Sequence, residues 1–242
     1  MRPTPLPRRQ GIPKAVLSRP WGLGLLLILN PASLAQSESG PIGHWKLDEA
    51  RGSQVARDAT NGSRHGLPVG FGATGATQGV PGKIGQAARF SGGGSIQLDR
   101  HAPVLGKLTD FTVSMWIQYD GGASRQLFTF SDGTHAHRIQ VEVHNGALGF
   151  GWQNGGSFEN FITKPLAWEP GRWYHIVFAG DGKTGKSILR SNDLVRKTDA
   201  NTLSPAGLRS PVKRVEIGSL GGEYPFHGRM DDVRLFGRAL SL

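Results

Sequence analysis

An all-β fold is what this chain predicts, and three observations lead there. It holds 36 glycines and 15 prolines in 242 residues. Beyond the first forty residues, no apolar stripe recurs at the helical period of 3.6. Instead, short runs of alternating apolar and polar residues are separated by Gly, Asn, Asp and Ser, the residues of tight turns. Many short strands in one domain fit this pattern, and a helical bundle does not.

Residues 1–35 read as an export signal. A basic start is followed by the apolar run Trp21–Leu29, the breaker Asn30-Pro31, and Ser33-Leu34-Ala35 with small residues at the cleavage positions. The apolar run is well short of the ~20 residues a bilayer crossing needs. No membrane span is therefore expected after cleavage, and the mature domain is expected over residues 36–242. A secreted, periplasmic or cell-surface location follows. The net charge of +10 is partly the leader's: Arg2, Arg8, Arg9, Lys14 and Arg19 leave 23 basic against 18 acidic residues when removed. These are dispersed, whereas nucleic-acid binding needs a basic stripe, so no nucleic-acid partner is expected. The absence of cysteine excludes disulfides, thiolate metal sites and a cysteine nucleophile.

Taken in order, the mature chain opens with a strand over Ile42–Leu47. A turn-rich loop, Asp58–Gly66, follows. The glycine-rich stretch Gly70–Gly85 lacks the strand–loop–helix setting of a phosphate cradle and reads as structural. Strands follow at Ala87–Phe90 and Ser95–Leu98. Phe111–Gln118 alternates most clearly, with Phe111, Val113, Met115 and Ile117 on one face. Gln126–Phe130, Arg138–Val143 and Ala147–Trp152 come next, the last two joined by Asn145-Gly146, a strong hairpin signal. Arg172–Ala179, then Ser187–Arg190 paired with Leu194–Lys197, and Lys213–Gly218 complete the body. The closing stretch, Phe226–Leu240, alternates so that Asp231, Val233 and Leu235 share one face while Met230, Asp232, Arg234 and Phe236 share the other. A strand packed on both sides cannot hide a bare carboxylate cheaply. Backbone donors, a basic partner or a metal must meet it.

Six of these segments, in this order, resemble the laminin-G-like jelly rolls of the concanavalin A-like lectin/glucanase superfamily. They are Trp45–Glu49, Asp58 with His65-Gly66, Gly85–Phe90, Phe111–Trp116, Gly171–Val177 and Gly228–Leu240. The resemblance implies two antiparallel sheets stacked face to face, with Trp45, Trp116 and Trp173 in the core. It departs from the family pattern at Asn61-Gly62, where the family often has Gly-Asn. It also implies a structural calcium ion beside the first loop and last strand. Hard oxygen ligands there would come from Glu49, Asp58, Asn61, Asp231 and Asp232. The alternative for the aspartates is capping of backbone amides or pairing with Arg229 or Arg234.

Catalysis is not expected. Arg138–Val143 offers Glu142 alone, where a glycosidase strand would carry alternating carboxylates, and Asp231 and Asp232 are adjacent and so point apart on a strand. His135 and His137 have zinc spacing but no third ligand in view, and read as exposed hairpin histidines. The strongest binding cluster is Trp152, Gln153, Asn154, Phe158, Glu159 and Asn160. It combines flat rings for sugar C–H faces with amides and a carboxylate for hydroxyls. The sequence thus points to an exported binding module for a glycan, or alternatively for an extracellular protein ligand.

Overall fold

In a computed structural model of the chain, two antiparallel sheets lie face to face. The structure describes residues 40–72, 76–156, 158–181, 186–191, 195–200 and 211–241. The leader expected over residues 1–35, and its boundary with the mature domain, lie outside them. The strands are β1 (Gly43–Trp45), β2 (Leu67–Val69), β3 (Thr77–Pro81), β4 (Gln86–Ser91), β5 (Ser95–Gln97), β6 (Phe111–Tyr119), β7 (Ser124–Ser131) and β8 (His137–His144). Then come β9 (Ala147–Asn154), β10 (Glu159–Ile162), β11 (Tyr174–Asp181), β12 (Lys186–Ser191), β13 (Val195–Ala200), β14 (Arg214–Ile217) and β15 (His227–Phe236). A short helix, α1 (Ala102–Leu105), stands between β5 and β6. One sheet runs β13-β12-β11-β6-β15-β4-β3 with β1 also on β15; the other runs β10-β9-β8-β7-β14-β5-β2.

Inward side chains fill the space between the sheets. Phe150 of β9 stacks on Phe178 of β11 at 3.9 Å, and Phe111 meets Phe130 edge-on at 5.4 Å. Trp45 is fully buried beside Phe128. The alternation read for Phe111–Gln118 holds: Phe111, Val113, Met115 and Ile117 all lie in the core. Asn145 and Gly146 both take positive φ, as the two-residue hairpin between β8 and β9 requires.

Several elements differ from the sequence reading. The first strand ends at Trp45 because Leu47 turns into the left-handed region at φ 63°, its side chain still wholly buried. Strands β2 and β3 were hidden in glycine- and proline-containing stretches whose own propensity for extended structure is low. β10 lies just after Phe158, in a stretch for which the sequence predicts no strand.

The face assignment of the closing strand also changes. Met230, Val233 and Leu235 are all fully buried, because the register shifts between Asp231 and Arg234 and Asp232 adopts φ 53°. An extra residue in one strand breaks the period of two. Asp231 and Arg234 consequently point outward, against the central strand β6.

Of the three tryptophans expected in the core, only Trp45 lies there. Trp116 is on the outer face, 4.9 Å from the His175 ring and with the Lys83 ammonium 4.9 Å from its centroid. Trp173 is half-buried ahead of β11, and Tyr174 takes the core position instead. Urea melts therefore separate the two rings: Trp45→Ala is expected to cost about 3–5 kcal/mol, the range for a buried aromatic, and Trp116→Ala about 1 kcal/mol. Equal losses would contradict the outward placement of Trp116.

Candidate functional site

The outer face of the seven-stranded sheet carries polar side chains in an unbroken cross-strand row. Register places Asn160 beside Gly151, Gly151 beside Gln140, Gln140 beside Thr129, Thr129 beside Glu216, and Glu216 beside Gln97. Cross-strand partners share a face. The neighbouring row, Trp152, Ile139, Phe130 and Val215, therefore points inward. This decides the position of Trp152, which packs against the core with its indole N–H buried and unpartnered. It is no exposed platform for a sugar. Gln153 lies on the outer row and donates to the Gly156 carbonyl at 2.8 Å, and Asn154 ends β9 opposite His137. Asn160 is exposed; Glu159 pairs by its backbone with Trp152, and its side chain lies outside the described residues.

Phe158 is the ring that reaches the outer face. Its tip occupies the space above Gly151, where a Cβ would stand only 2.2 Å from the ring. The Arg138 guanidinium lies over the ring at 4.6 Å. Arg138 Nε donates to Gln140 Oε1 at 2.8 Å, and its Nη1 donates to the His135 carbonyl. Tyr224 is 44% exposed, and the His135 ring centroid lies 6.0 Å from it. Below this rim the floor is buried. Glu142 Oε2 accepts from Gln126 Nε2 at 3.0 Å and from the Ser124 hydroxyl at 3.3 Å, while Gln126 Oε1 is buried with no partner.

The turn from Ser219 to Glu223 folds over the middle of the same face. Thr129 donates to the Ser219 carbonyl at 2.8 Å, and the Gly221 amide donates to Glu216 Oε2. Burial pushes the Glu216 carboxyl above its usual range, with Asp99 adding to the shift while the Gly221 amide and Arg214 oppose it. Sequence reasoning missed Arg138, Gln140, Gln126 and Tyr224. The signal was present in the alternation of β8, but nothing in it showed that Gln140 and Gln126 would be buried on the outer face.

Of the five residues assigned to calcium, Glu49 and Asp58 line one pocket with Asp48 and Arg57, and each of the five has its own partners or exposure. Asp58 Oδ1 accepts from the His44 and Thr60 amides, each at 2.9 Å, and Oδ2 accepts from the Arg64 amide and the Thr60 hydroxyl, each at 2.8 Å. Burial alone raises its carboxyl, but these donors outweigh it and hold the group below the usual range. Asp231 Oδ2 accepts from the Lys83 and Ile84 amides at 2.7 and 2.8 Å. Its Oδ1 is buried and unpartnered. Asp232 sits between His44, at 2.5 Å, and Arg234, at 2.8 Å. Glu49 Oε1 accepts from the Arg57 amide at 2.6 Å, and Asn61 is exposed at the loop tip.

A family model described as the concanavalin A-like lectin/glucanases superfamily, of the laminin G type, matches residues 90–242. The chain belongs to that superfamily. Among solved structures, this concanavalin A-like chain is similar to domain 4 of an extracellular GH43 arabinanase from Geobacillus stearothermophilus, in complex with arabinotriose. The identity is 20%, the TM-score 0.62, and 84% of this chain and 95% of that one are covered. It is similar also to the CBM40 of the Ruminococcus gnavus IT-sialidase bound to α2,3-sialyllactose, at 19% identity and TM-score 0.54, covering 64% of this chain and 91% of that one. The leech intramolecular trans-sialidase matches at 17% identity and TM-score 0.53, over 64% of this chain and 26% of that one. At these identities the likeness is one of fold. No curated protein matches the chain.

The concanavalin A-like chain does not bring the five expected calcium ligands together. A calcium cage takes six to eight oxygens. Asp58 spends both carboxylate oxygens on amides and a hydroxyl, and Asp232 is held by two basic side chains. Among the described residues there is no group of three or more His, Asp or Glu suited to a metal ion. Capping and pairing, the alternative weighed for the aspartates, is what the geometry displays. The two histidines of zinc spacing also part company: His135 faces Glu223 at 3.5 Å and His137 faces Asp132 at 3.1 Å. With the carboxylates so engaged, saturating calcium is expected to leave Tm where EDTA leaves it. A rise of several degrees would show that they release their donors to an ion.

Burial pushes the Asp231 carboxyl up to about 6, against the pull of the Ile84 and Lys83 amides and with help from Asp232 and Asp48. The folded state then holds a proton that the unfolded state has lost between pH 3.8 and about 6, so this group's contribution to stability falls as pH rises through that window. Asp231→Asn keeps the acceptor for the two amides and removes the titration. Its stability relative to wild type, from denaturant melts, is expected to rise by about 2 kcal/mol between pH 4 and pH 6.5. A pH-independent difference would refute the assignment.

Proposed function

We propose that this chain is an exported, non-catalytic module that recognises saccharides on the outer face of its seven-stranded sheet. The observation that carries the reading is the half-exposed Phe158 ring, set over Gly151 beside Arg138. On the same face, two residues further along β8 and β9, lies a buried polar cluster of Glu142 and Gln126 in which Gln126 Oε1 lacks a partner. Sugar C–H faces stack on aromatic rings, and hydroxyls need polar groups already fixed in place. The arabinotriose and sialyllactose complexes of the two similar modules support the reading by showing this fold in saccharide binding.

Carboxylate geometry supports the absence of catalysis. A glycosidase needs two carboxyl groups flanking one bond. Here Glu142 is bound by Ser124 and Gln126, and Glu216 lies beneath the Gly221 amide with a strand between the two. Export rests on the leader over residues 1–35. A calcium-dependent mode of binding would draw on the unpartnered Asp231 Oδ1 and Glu49 Oε2 or need Asp58 to exchange its donors for an ion, and the calcium melts described above examine both.

A glycan array followed by titration calorimetry tests the reading. Wild type is expected to bind at least one glycan class, Phe158→Ala to bind it about tenfold more weakly, and Trp152→Phe to stay within about twofold. Binding that depended on Trp152 and ignored Phe158 would move the site off this face. Failure to bind any glycan, with capture of an extracellular protein instead, would favour an adhesion module.

A further inference from the structure

The polar rim of the sheet face contains a cation with no counter-ion among the described residues. Arg138 is half-buried, yet among the described residues it makes no ion pair. Its Nε is spent on Gln140 and one Nη1 hydrogen on the His135 carbonyl, while among the described residues Nη2 has no acceptor. Glu142 lies on the same face four residues along β8, but its Oε2 is already bound by Gln126 and Ser124. Among the described side chains, the acidic groups near the rim are likewise engaged, Glu223 with His135 and Asp132 with His137. Desolvation lowers the Arg138 pKa and outweighs the influence of Glu142 and Tyr224, so the guanidinium is carried at a cost that those neighbours do not offset.

A half-buried guanidinium held by two acceptors and an aromatic face, with donors to spare among the described residues, has the chemistry of an anion receptor. Phe158 and Gln140 fix its plane, so little side-chain entropy remains to be lost when a ligand arrives. We infer that the ligand is an acidic saccharide whose carboxylate or sulfate group is received by Arg138 while an adjoining sugar ring lies against Phe158. The inference rests on the saccharide reading above and narrows it from sugars in general to those bearing a negative charge. Gln126 Oε1, the unpartnered acceptor in the floor, suits a hydroxyl donor and not an anion. The face therefore offers a charged end at Arg138 and a neutral end towards Gln126.

Matched ligand pairs measured by titration calorimetry test this: sialyllactose against lactose, polygalacturonate against its carboxyl-reduced product, and dextran sulfate against dextran. In at least one pair the acidic member is expected to bind about tenfold or more tightly than its neutral partner, as a charge-assisted hydrogen bond provides, with affinity falling as salt rises. The pair that responds identifies the source of the charge. Arg138→Gln is expected to abolish the preference, and Arg138→Lys to retain part of it. Equal binding of acidic and neutral members by wild type overturns the inference and leaves saccharide binding standing. A preference that survives in Arg138→Gln overturns the role of Arg138. Absence of binding to every saccharide, here and on the array, removes the underlying reading as well. Should Arg138→Gln not fold, the wild-type pairs decide the ligand class alone.

Discussion

The Asp231 carboxylate holds the closing strand to the turn between β3 and β4, and much of the eight-stranded sheet is arranged around that contact. Strand β15 lies between β6 and β4 and also carries β1, so three strands depend on its register. The turn at Lys83 and Ile84 presents two amides that no strand partner satisfies, and Asp231 Oδ2 accepts both. The two amide hydrogen bonds offset part of the cost of burying the carboxyl, and burial still raises its pKa. Asp48 does the same for the Gln86 amide at 2.7 Å, closing the other side of that turn. The bulge at Asp232 makes the arrangement feasible: it turns Asp231 outward while Met230, Val233 and Leu235 remain in the core.

The first loop repeats the device on a smaller scale. Asp58 gathers the amides of His44, Thr60 and Arg64, while Trp45 Nε1 donates to the Arg64 carbonyl at 2.8 Å from within the core. Loop, first strand and core ring are thereby one unit. In such a loop a carboxylate can replace a cation as the organising group, because amides converge on an anion as oxygens converge on calcium. The polar face of the other sheet is a different case. Its buried side chains are covered in the middle by the Ser219–Glu223 turn, tied down through Thr129 and Glu216, and are left open around Phe158 and Arg138.

Legibility in the sequence followed the strength of local signals. The alternation of Phe111–Ile117 and the Asn145-Gly146 turn were plain, because period-two patterning and a positive-φ dipeptide are properties of a few adjacent residues. Strands β2 and β3 were not, since Gly79, Pro68 and Pro81 carry no such pattern and pair only because β5 and β4 lie alongside. Trp116 and Trp152 show the limit most clearly. Both lie on alternating strands, and alternation tells which residues share a face without telling which face is inside. Large apolar rings were taken as core in one case and as binding surface in the other, and each stands on the opposite side.

By itself the sequence determined the all-β class, the order of most strands and the presence of two aspartates in the last strand that demanded partners. Each of these follows from residues close together in the chain. Tertiary structure alone decided which amides answer those aspartates, that a bulge turns Asp231 outward, and that Arg138, Phe158 and Tyr224 meet on one face. Such groupings join residues far apart in the chain through sheet register, and register depends on packing between strands that no local pattern encodes.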